Sequence, residues 1–425
     1  MNPAEINNKE KGGNERFFTP PLIIIFVTVF IDLIGFGMVI PILPFYAETE
    51  PFNASPLEIG FLFAIYSLMQ FFFAPILGRL SDQYGRRPIL FISILGSAVG
   101  YFVIGFANTL LLVFVGRIIG GITGANISTA QAYIADVTTR ENRAKGMGLF
   151  GATFGLGFIL GPAIAGILSK YGVHVPFYVA AVLSLTNAVA LYFVLPESLT
   201  AENRKKHEKG SSRIATIVAA LKERAFGSIN LVYFLLVTAF SIMTYAFVLF
   251  TAYRFGYTAE QNGYIFAYVG VMSVIGQGLL FGILVRRFGE LQLTTAGCLL
   301  MSLSLFAIPF IGPYAGGLAA LLLCCTALSF GNAMASPALT SLVSKITLES
   351  EQGSRLGIMQ SGASLARAVG PVVGGVLLNN TANSIDDRTV TRTFIAASAI
   401  MVVAMVVSLF AIKVVKNSGV AERIN

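Results

Sequence analysis

Residues 78–88 of the chain read GRLSDQYGRRP. The segment lies between two apolar stretches and leaves only a few residues in which the chain can turn from one into the other. Gly78 and Gly85 can adopt backbone conformations that other residues avoid, and Asp82 has Arg86 and Arg87 within reach for ion pairing. The pattern predicts a tight, charged loop that joins two consecutive helices at a membrane surface.

The composition indicates that most of the chain lies in a lipid bilayer. Of the 425 residues, 55% are hydrophobic and only 12% are charged, whereas a soluble protein carries about 25% charged residues. A helix needs about 20 apolar residues to cross the hydrocarbon layer. By that criterion the sequence predicts twelve spans, numbered 1 to 12, at residues 22–46, 57–77, 89–107, 110–134, 144–169, 176–195, 227–253, 260–284, 291–311, 314–344, 355–378 and 391–413.

The distribution of basic residues predicts the topology. With the N-terminus in the cytoplasm, 23 of the 29 Lys and Arg residues lie in cytoplasmic segments and 4 lie in outer loops. Because basic loops stay on the cytoplasmic side, we expect a multi-pass protein of the cell (inner or plasma) membrane with both termini inside. The net charge of +8 is explained by this topology, so no nucleic-acid partner is expected.

The chain is predicted to consist of two related halves. The expected segments are a cytoplasmic tail, a six-helix bundle, a basic cytoplasmic linker, a second six-helix bundle and a second cytoplasmic tail, at residues 1–21, 22–195, 196–226, 227–413 and 414–425. Two short patterns recur between the halves, with offsets of 204 and 209 residues. The matched positions are Gly78 with Gly282, Gly85 with Gly289, Gly161 with Gly370, and Pro162 with Pro371. Such duplication is common in secondary transporters, whose binding site lies between the repeats.

The loop at residues 78–88 resembles the signature cytoplasmic loop of the major facilitator superfamily in position and spacing. The resemblance implies an all-α membrane protein of twelve helices in two pseudo-symmetric bundles. It also implies a latch, in which the loop aspartate engages the other half when the cytoplasmic side is closed. The alternative is a plain helical turn whose arginines reach the interface. The cytoplasmic gating loop is therefore assigned to Gly78, Asp82, Gly85, Arg86 and Arg87.

The first half is similar to the tetracycline-efflux branch of the drug:proton antiporters. The similarity is carried by the runs 32–37, 41–44, 116–125, 132–136 and 195–198. It implies proton-coupled antiport, and it assigns an antiporter-type glycine motif to Gly157, Gly161, Pro162, Gly166, Gly370 and Pro371. Tetracycline exporters of this branch carry acids in spans 3 and 9 and a histidine near span 8. This chain has Gly96 and Ser97 in span 3 and Gln277 in span 8, so the similarity does not extend to those groups.

Three charged residues are predicted inside the spans: Asp32, Arg117 and Arg367. Such a residue near the bilayer centre costs about 2.5 to 3.5 kcal/mol, so each needs a partner or a water-filled cavity. Burial favours the neutral form of Asp32 and a nearby cation favours its charged form, which makes Asp32 the candidate proton-coupling residue. The resemblance gives Arg117 the role of modulating that site. The alternative is a permanently ionised Asp32 paired with Arg117.

Arg367 lies just before the Gly-Pro pair of span 11. One interpretation is a counter-charge for an anionic or polar group of a substrate. The alternative is an arginine that binds a helix-end carbonyl or an acid in another span.

Polar side chains concentrate on the spans that the family fold places around its central cavity. Of ten Asp, Arg, Asn or Gln residues well inside the spans, only Asn187 falls on a peripheral span. Each alone is equally well explained by a hydrogen bond to a neighbouring helix. The substrate-cavity candidates are Gln70, Asn126, Gln131, Gln277, Asn332, Gln360 and Arg367.

These features favour a proton-coupled exporter of amphipathic small molecules that works by rocking of its two halves. The expected partners of this monomer are a small-molecule substrate, protons and the lipid bilayer, with no cofactor and no metal. A second interpretation is a uniporter or a lipid or metabolite carrier without proton drive, which the missing acids of spans 3 and 9 favour. A membrane enzyme or receptor is a third class, but His174 and His207 have no neighbouring nucleophile or metal-ligand set.

Overall fold

The computed structural model describes residues 19–199, 213–347 and 351–417. Most of the two predicted tails and part of the predicted linker lie outside these ranges. The long helices of the first half are Pro20–Glu48, Pro56–Tyr84, Arg86–Gly105, Leu110–Val137, Arg140–Ser169 and Val175–Val194. Those of the second half are Arg224–Phe255, Ala259–Phe310, Gly317–Ile346, Gln352–Leu378 and Asp387–Asn417. A short helix, Arg213–Lys222, lies within the predicted linker.

The described helices include 11 that are long and apolar enough to cross a membrane, because spans 8 and 9 follow each other in one helical run of 52 residues. At 1.5 Å per residue that run would measure about 78 Å, more than twice the hydrocarbon thickness of about 30 Å. The backbone leaves the helical region at Gly289, where φ is 77° and ψ is 163°. The run therefore consists of two crossings, in agreement with the twelve predicted spans.

Spans 2 and 8 begin and end in the same way, and the sequence repeat predicts the matching ends. Both start with a capping box, in which the side chains of the cap residue and of the residue three positions later satisfy each other's backbone N–H. Both end at a glycine with positive φ that leads directly into the next helix. The capping pairs are Ser55 with Glu58 and Thr258 with Gln261, and the terminal glycines are Gly85 and Gly289.

The two halves pack tightly at one face of the bundle, through spans 2 and 11 and through spans 5 and 8. We call this the far face, and the face that carries Gly85 and Gly289 the linker face. A Cβ atom on Gly60 of span 2 would lie 2.4 Å from the carbonyl oxygen of Pro371, and one on Gly263 of span 8 would lie 2.5 Å from that of Pro162. These seams therefore accept only glycine, because the obstructing atoms belong to backbone.

An ion pair reinforces the far face. Lys170 Nζ lies 2.9 Å from Glu260 Oε1 across the two halves, and this bond raises the pKa of the Lys170 ammonium. Tyr245 of span 7 also donates a hydrogen bond to the carbonyl oxygen of Pro56. The far-face ends of the two halves are thus held by backbone packing, one exposed ion pair and one buried hydrogen bond.

The same helices separate towards the linker face. Gly155 of span 5 still meets Val274 of span 8, where a Cβ atom would lie 2.9 Å from the valine side chain. One turn further towards the linker face, a Cβ atom added to Gly151 or Gly278 would have no neighbour within 4 Å among the described residues. The same holds for Gly353, at the start of the helix Gln352–Leu378. The halves are therefore closed at the far face and apart at the linker face.

Candidate functional site

Two adjoining cavities lie between the halves. The polar cavity, of about 370 Å³, is lined by Asp32, Tyr66, Gln70, Gln131, Gln360, Ser364 and Arg367 among others. The apolar cavity, of about 250 Å³, is lined mainly by aromatic and aliphatic side chains of spans 5, 7, 8 and 10. Phe154 and Phe158 of span 5 line both cavities. A molecule with a polar end and an apolar body has a matching surface on each side of these two rings.

Asp32 is placed in the polar cavity by span 1 and held by a local break in span 4. Its Oδ2 accepts a hydrogen bond of 3.3 Å from Asn126 Nδ2. Asn126 ends a 3-10 turn, Gly124–Asn126, in which Ala125 has a ψ of 16°. Tightened turns inside long helices often mark functional positions. The sequence predicts Asn126 as a polar residue of span 4, but it does not predict the turn.

Arg117 does not form an ion pair with Asp32. Its guanidinium donates from Nε to the carbonyl oxygen of Leu62 at 2.9 Å and lies over the ring of Tyr66, 4.3 Å from the centroid. Tyr66 itself lines the polar cavity. The alternative of a permanently paired Asp32 and Arg117 is therefore absent from this conformation, and Arg117 reaches the cavity through the tyrosine ring.

Tyr66 is a site residue that the sequence prediction missed. Gln70, one turn along span 2, donates from Nε2 to Tyr66 Oη at 3.3 Å and to the carbonyl oxygen of Gly124 at 3.0 Å. These bonds connect span 2 to the break in span 4. The spacing of four residues between Tyr66 and Gln70 was the feature of the sequence that could have predicted their contact on one face of the helix.

The remaining substrate-cavity candidates divide between the two cavities. The polar cavity includes Gln131, Gln360 and Arg367, and the apolar cavity includes Gln277 and Asn332. Gln277 lies in a π-helical turn, Gly276–Leu280, that widens span 8. Asn187, predicted to be peripheral, donates to the carbonyl oxygen of Thr28 and links spans 6 and 1.

The predicted gating loop forms an ion-pair cluster within the first half. The buried guanidinium of Arg86 contacts Asp82 at 2.6 Å and Asp136, at the end of span 4, at 3.1 Å. The backbone N–H groups of Arg86 and Arg87 donate to the carboxylate of Glu197. The loop aspartate thus bonds within its own half while the linker face is open. Asp136 and Glu197 belong to the motifs that carry the predicted resemblance.

The second half contains a counterpart of the Arg86–Asp136 pair with its charges reversed. Glu290 follows Gly289 as Arg86 follows Gly85, and its buried carboxylate contacts Lys345 at the end of span 10 at 2.7 Å. Ser341 also donates to the Glu290 carboxylate at 3.0 Å. Arg86 and Glu290 are separated by 204 residues, and Asp136 and Lys345 by 209, which are the offsets of the sequence repeat. The pairing is thus part of the duplicated architecture, although its polarity differs.

Because the Arg86 guanidinium is buried and shared by two carboxylates, Arg86→Gln is expected to lower the free energy of unfolding by about 3 kcal/mol. The double variant Arg86→Met with Asp136→Leu is expected to lose less, since the only carboxylate of the two that remains without the guanidinium is Asp82, which is the more exposed one. Denaturant unfolding of the detergent-solubilised protein measures both. The matched control is Arg254→Gln, whose partner Asp387 is exposed and whose loss costs about 1 kcal/mol or less. Equal losses for Arg86→Gln and Arg254→Gln would contradict a structural role for the cluster.

Comparisons with known proteins match both halves of the chain. A family model described as Major Facilitator Superfamily matches residues 25–347 and 315–424. The chain is 33% identical over 353 residues to the class C tetracycline resistance protein of Escherichia coli, covering 83% of this chain and 88% of that protein. It is 29% identical over 389 residues to multidrug resistance protein 2 of Bacillus subtilis, covering 90% and 93% respectively.

The fold also matches solved transporter structures. The crystal structure of the human organic anion transporter MFSD10 (TETRAN) superposes with a TM-score of 0.69 and 24% identity, covering 92% of this chain and 99% of that one. The resemblance of the loop at residues 78–88 is confirmed by the family match, and the prediction of a transporter rather than an enzyme is confirmed by these relatives. The chain therefore belongs to the major facilitator superfamily of membrane transporters.

Proposed function

We propose that this transporter exports amphipathic small molecules in exchange for protons, with Asp32 as the carboxyl group that loads and releases the proton. The observation that carries the proposal is the position of Asp32. It lies on span 1 in the cavity between the halves, with Asn126 as its hydrogen-bond donor and with no cationic side chain of the described residues paired to it. A carboxyl group in such a site can exchange a proton with the compartment to which the cavity opens.

The packing supports alternating access as the mechanism. The halves are closed by glycine seams at the far face and apart at the linker face, so the cavities open towards one side. We place the linker face in the cytoplasm of a cell membrane because the basic residues concentrate there. Rocking of the halves would close the linker face, open the far face and carry proton and substrate in opposite directions. The protein would act as a monomer in the bilayer.

The cavities support an amphipathic substrate. The apolar cavity offers aromatic side chains, including Phe240, Phe247 and Phe266, and the polar cavity offers amides and two opposite charges. The relatives include proteins named for tetracycline and multidrug resistance. Efflux of drug-like molecules is the activity that accords best with both observations.

Proton coupling is tested with the wild-type protein in sealed vesicles. Uptake of a fluorescent amphipathic compound is expected to rise when a pH gradient is imposed and to return to the basal rate when a proton–potassium exchanger dissipates the gradient. Protein-free vesicles give the rate of passive diffusion. Protein-dependent uptake that ignores the gradient would select the uniporter or carrier alternative.

A further inference from the structure

Two opposite charges line the polar cavity from opposite halves. Asp32 lies on span 1 and Arg367 on span 11. They do not form an ion pair: Asp32 accepts from Asn126, and Arg367 donates from Nη2 to Ser364 Oγ, one turn away on its own helix, at 3.0 Å. Each charge is thus held in place by a neutral side chain.

Arg367 has hydrogen-bonding capacity left for a ligand. A guanidinium carries five N–H donors, and the bond to Ser364 uses one of them. Arg117, the other intramembrane arginine of the site, is engaged by the carbonyl oxygen of Leu62 and by the ring of Tyr66. Of these two arginines, Arg367 is the one that lines the polar cavity, so its remaining donors are available to a ligand there, and a guanidinium binds a carboxylate with two parallel bonds.

The ionisable groups of the described residues leave Asp32 and Arg367 as the two charges within the cavity lining. Three tyrosines lie near enough to Asp32 or Arg367 to interact with them electrostatically, namely Tyr66, Tyr101 and Tyr233, but tyrosine is neutral near pH 7. Arg117 lies behind the Tyr66 ring.

This charge arrangement discriminates between ligand classes. A simple cation that approaches Asp32 is repelled by Arg367, and a simple anion that approaches Arg367 is repelled by ionised Asp32. A zwitterion satisfies both groups at once. Its aromatic body would pass Phe154 and Phe158 into the apolar cavity, which those two rings also line.

The geometry points to an amphipathic zwitterion as the substrate class, with its ammonium group at Asp32 and its acidic group at Arg367. This inference rests on the proposed function in one respect: the ammonium group of the ligand and the proton are taken to exchange at Asp32. Because the two charges belong to different halves, such a ligand bridges the halves and its binding is linked to their relative position. Arg367 is then the residue that determines specificity for the acidic group.

The test uses three related ligands and the purified full-length protein. The zwitterion is a piperazinyl-quinolinecarboxylic acid; its methyl ester is a cation and its N-acetyl derivative is an anion. The chain contains no Trp, so the ligand fluorescence anisotropy is read without tryptophan emission. The zwitterion is expected to bind about ten- to a hundredfold more tightly than either derivative, the effect of one charge-assisted hydrogen bond.

Variants at position 367 separate ligand recognition from structure. Arg367→Gln is expected to weaken binding of the zwitterion by about the same ten- to a hundredfold factor and to leave the ester unchanged or bound more tightly. Arg367→Lys, which keeps the charge but not the paired donors, is expected to retain part of the preference. Arg388→Gln, which replaces an exposed arginine outside the cavity, is the control.

Equal binding of zwitterion and ester by the wild-type protein would overturn the inference, as would an equal loss for all three ligands in Arg367→Gln. If Arg367→Gln does not fold, the wild-type series and Arg367→Lys decide. Binding is measured without a pH gradient, so a failure here leaves gradient-driven transport of other compounds intact. Conversely, gradient-independent transport would refute proton coupling and leave the ligand preference standing.

Discussion

Asp32→Asn is expected to abolish the part of substrate flux that depends on the pH gradient. Asparagine has nearly the same volume as aspartate and can still bond to Asn126, so the cavity keeps its shape while the titratable group is lost. The measurement is uptake into sealed vesicles with and without an imposed gradient. The variant is expected to transport at the same rate with and without the gradient.

The matched control for this prediction is Asp387→Asn. Asp387 is an acidic residue outside the cavity, with an exposed side chain that pairs with Arg254. Its replacement should leave gradient-driven flux unchanged. Gradient-driven flux that persists in Asp32→Asn would remove this residue from the proton pathway.

Arg117 distinguishes a direct from an indirect role in proton coupling. Because its guanidinium lies over Tyr66 and is bonded to Leu62, we expect Arg117 to act on Asp32 through the tyrosine and the helices that it connects rather than through an ion pair. Its replacement by lysine should therefore slow transport while the dependence on the gradient remains. This difference between the two residues separates the group that carries the proton from one that positions the site.

The positions of the spans could be predicted because the bilayer imposes a local requirement on the sequence. A helix in lipid must be apolar over about 20 residues, and that requirement is visible without any knowledge of tertiary contacts. The turns at Gly85 and Gly289 were predictable for a similar reason, since positive φ favours glycine. The constant offset of the repeat then identifies these two turns as equivalent positions of the two halves.

The site itself depends on contacts between residues distant in sequence, which hydropathy does not encode. The polar side chains could be assigned to the central spans, but not to one cavity or the other. The bond between Asp32 and Asn126 requires a break in span 4, and that break contains no proline; its one signal is Gly124, which is one of several glycines in the span. The charge-reversed pair of Glu290 and Lys345 was hidden because the second-half loop lacks the aspartate of the first.

Gly60→Val is expected to prevent closure of the far face and thereby stop transport. Even a Cβ atom at this position would lie 2.4 Å from the carbonyl oxygen of Pro371, and backbone cannot move aside as a flexible side chain can. Overpacking of this kind costs about 1 to 3 kcal/mol, which shifts a two-state equilibrium by about ten- to a hundredfold. The conformation described above would therefore become the minor one.

The fraction of molecules in which the far face is closed can be measured by cross-linking at the positions of the far-face ion pair. Lys170 and Glu260 are replaced by cysteine, in a background where Cys298, Cys324 and Cys325 are alanine, and a short bis-maleimide then joins the halves when the far face is closed. Gly60→Val should reduce both this cross-linking and substrate flux. The control is Gly353→Val, because Gly353 lies eighteen residues, or about five turns, from Pro371 on the same side of span 11 but at the open face.

Gly353→Val should keep the far-face cross-link, since no atom of the described residues lies within 4 Å of the added Cβ. If the linker face must close during transport, the same valine should slow flux while the cross-link remains, whereas Gly60→Val should reduce both. Full cross-linking and full transport in Gly60→Val would show that the seam between spans 2 and 11 does not control closure. The two substitutions together therefore test whether the far face and the linker face close in alternation during transport.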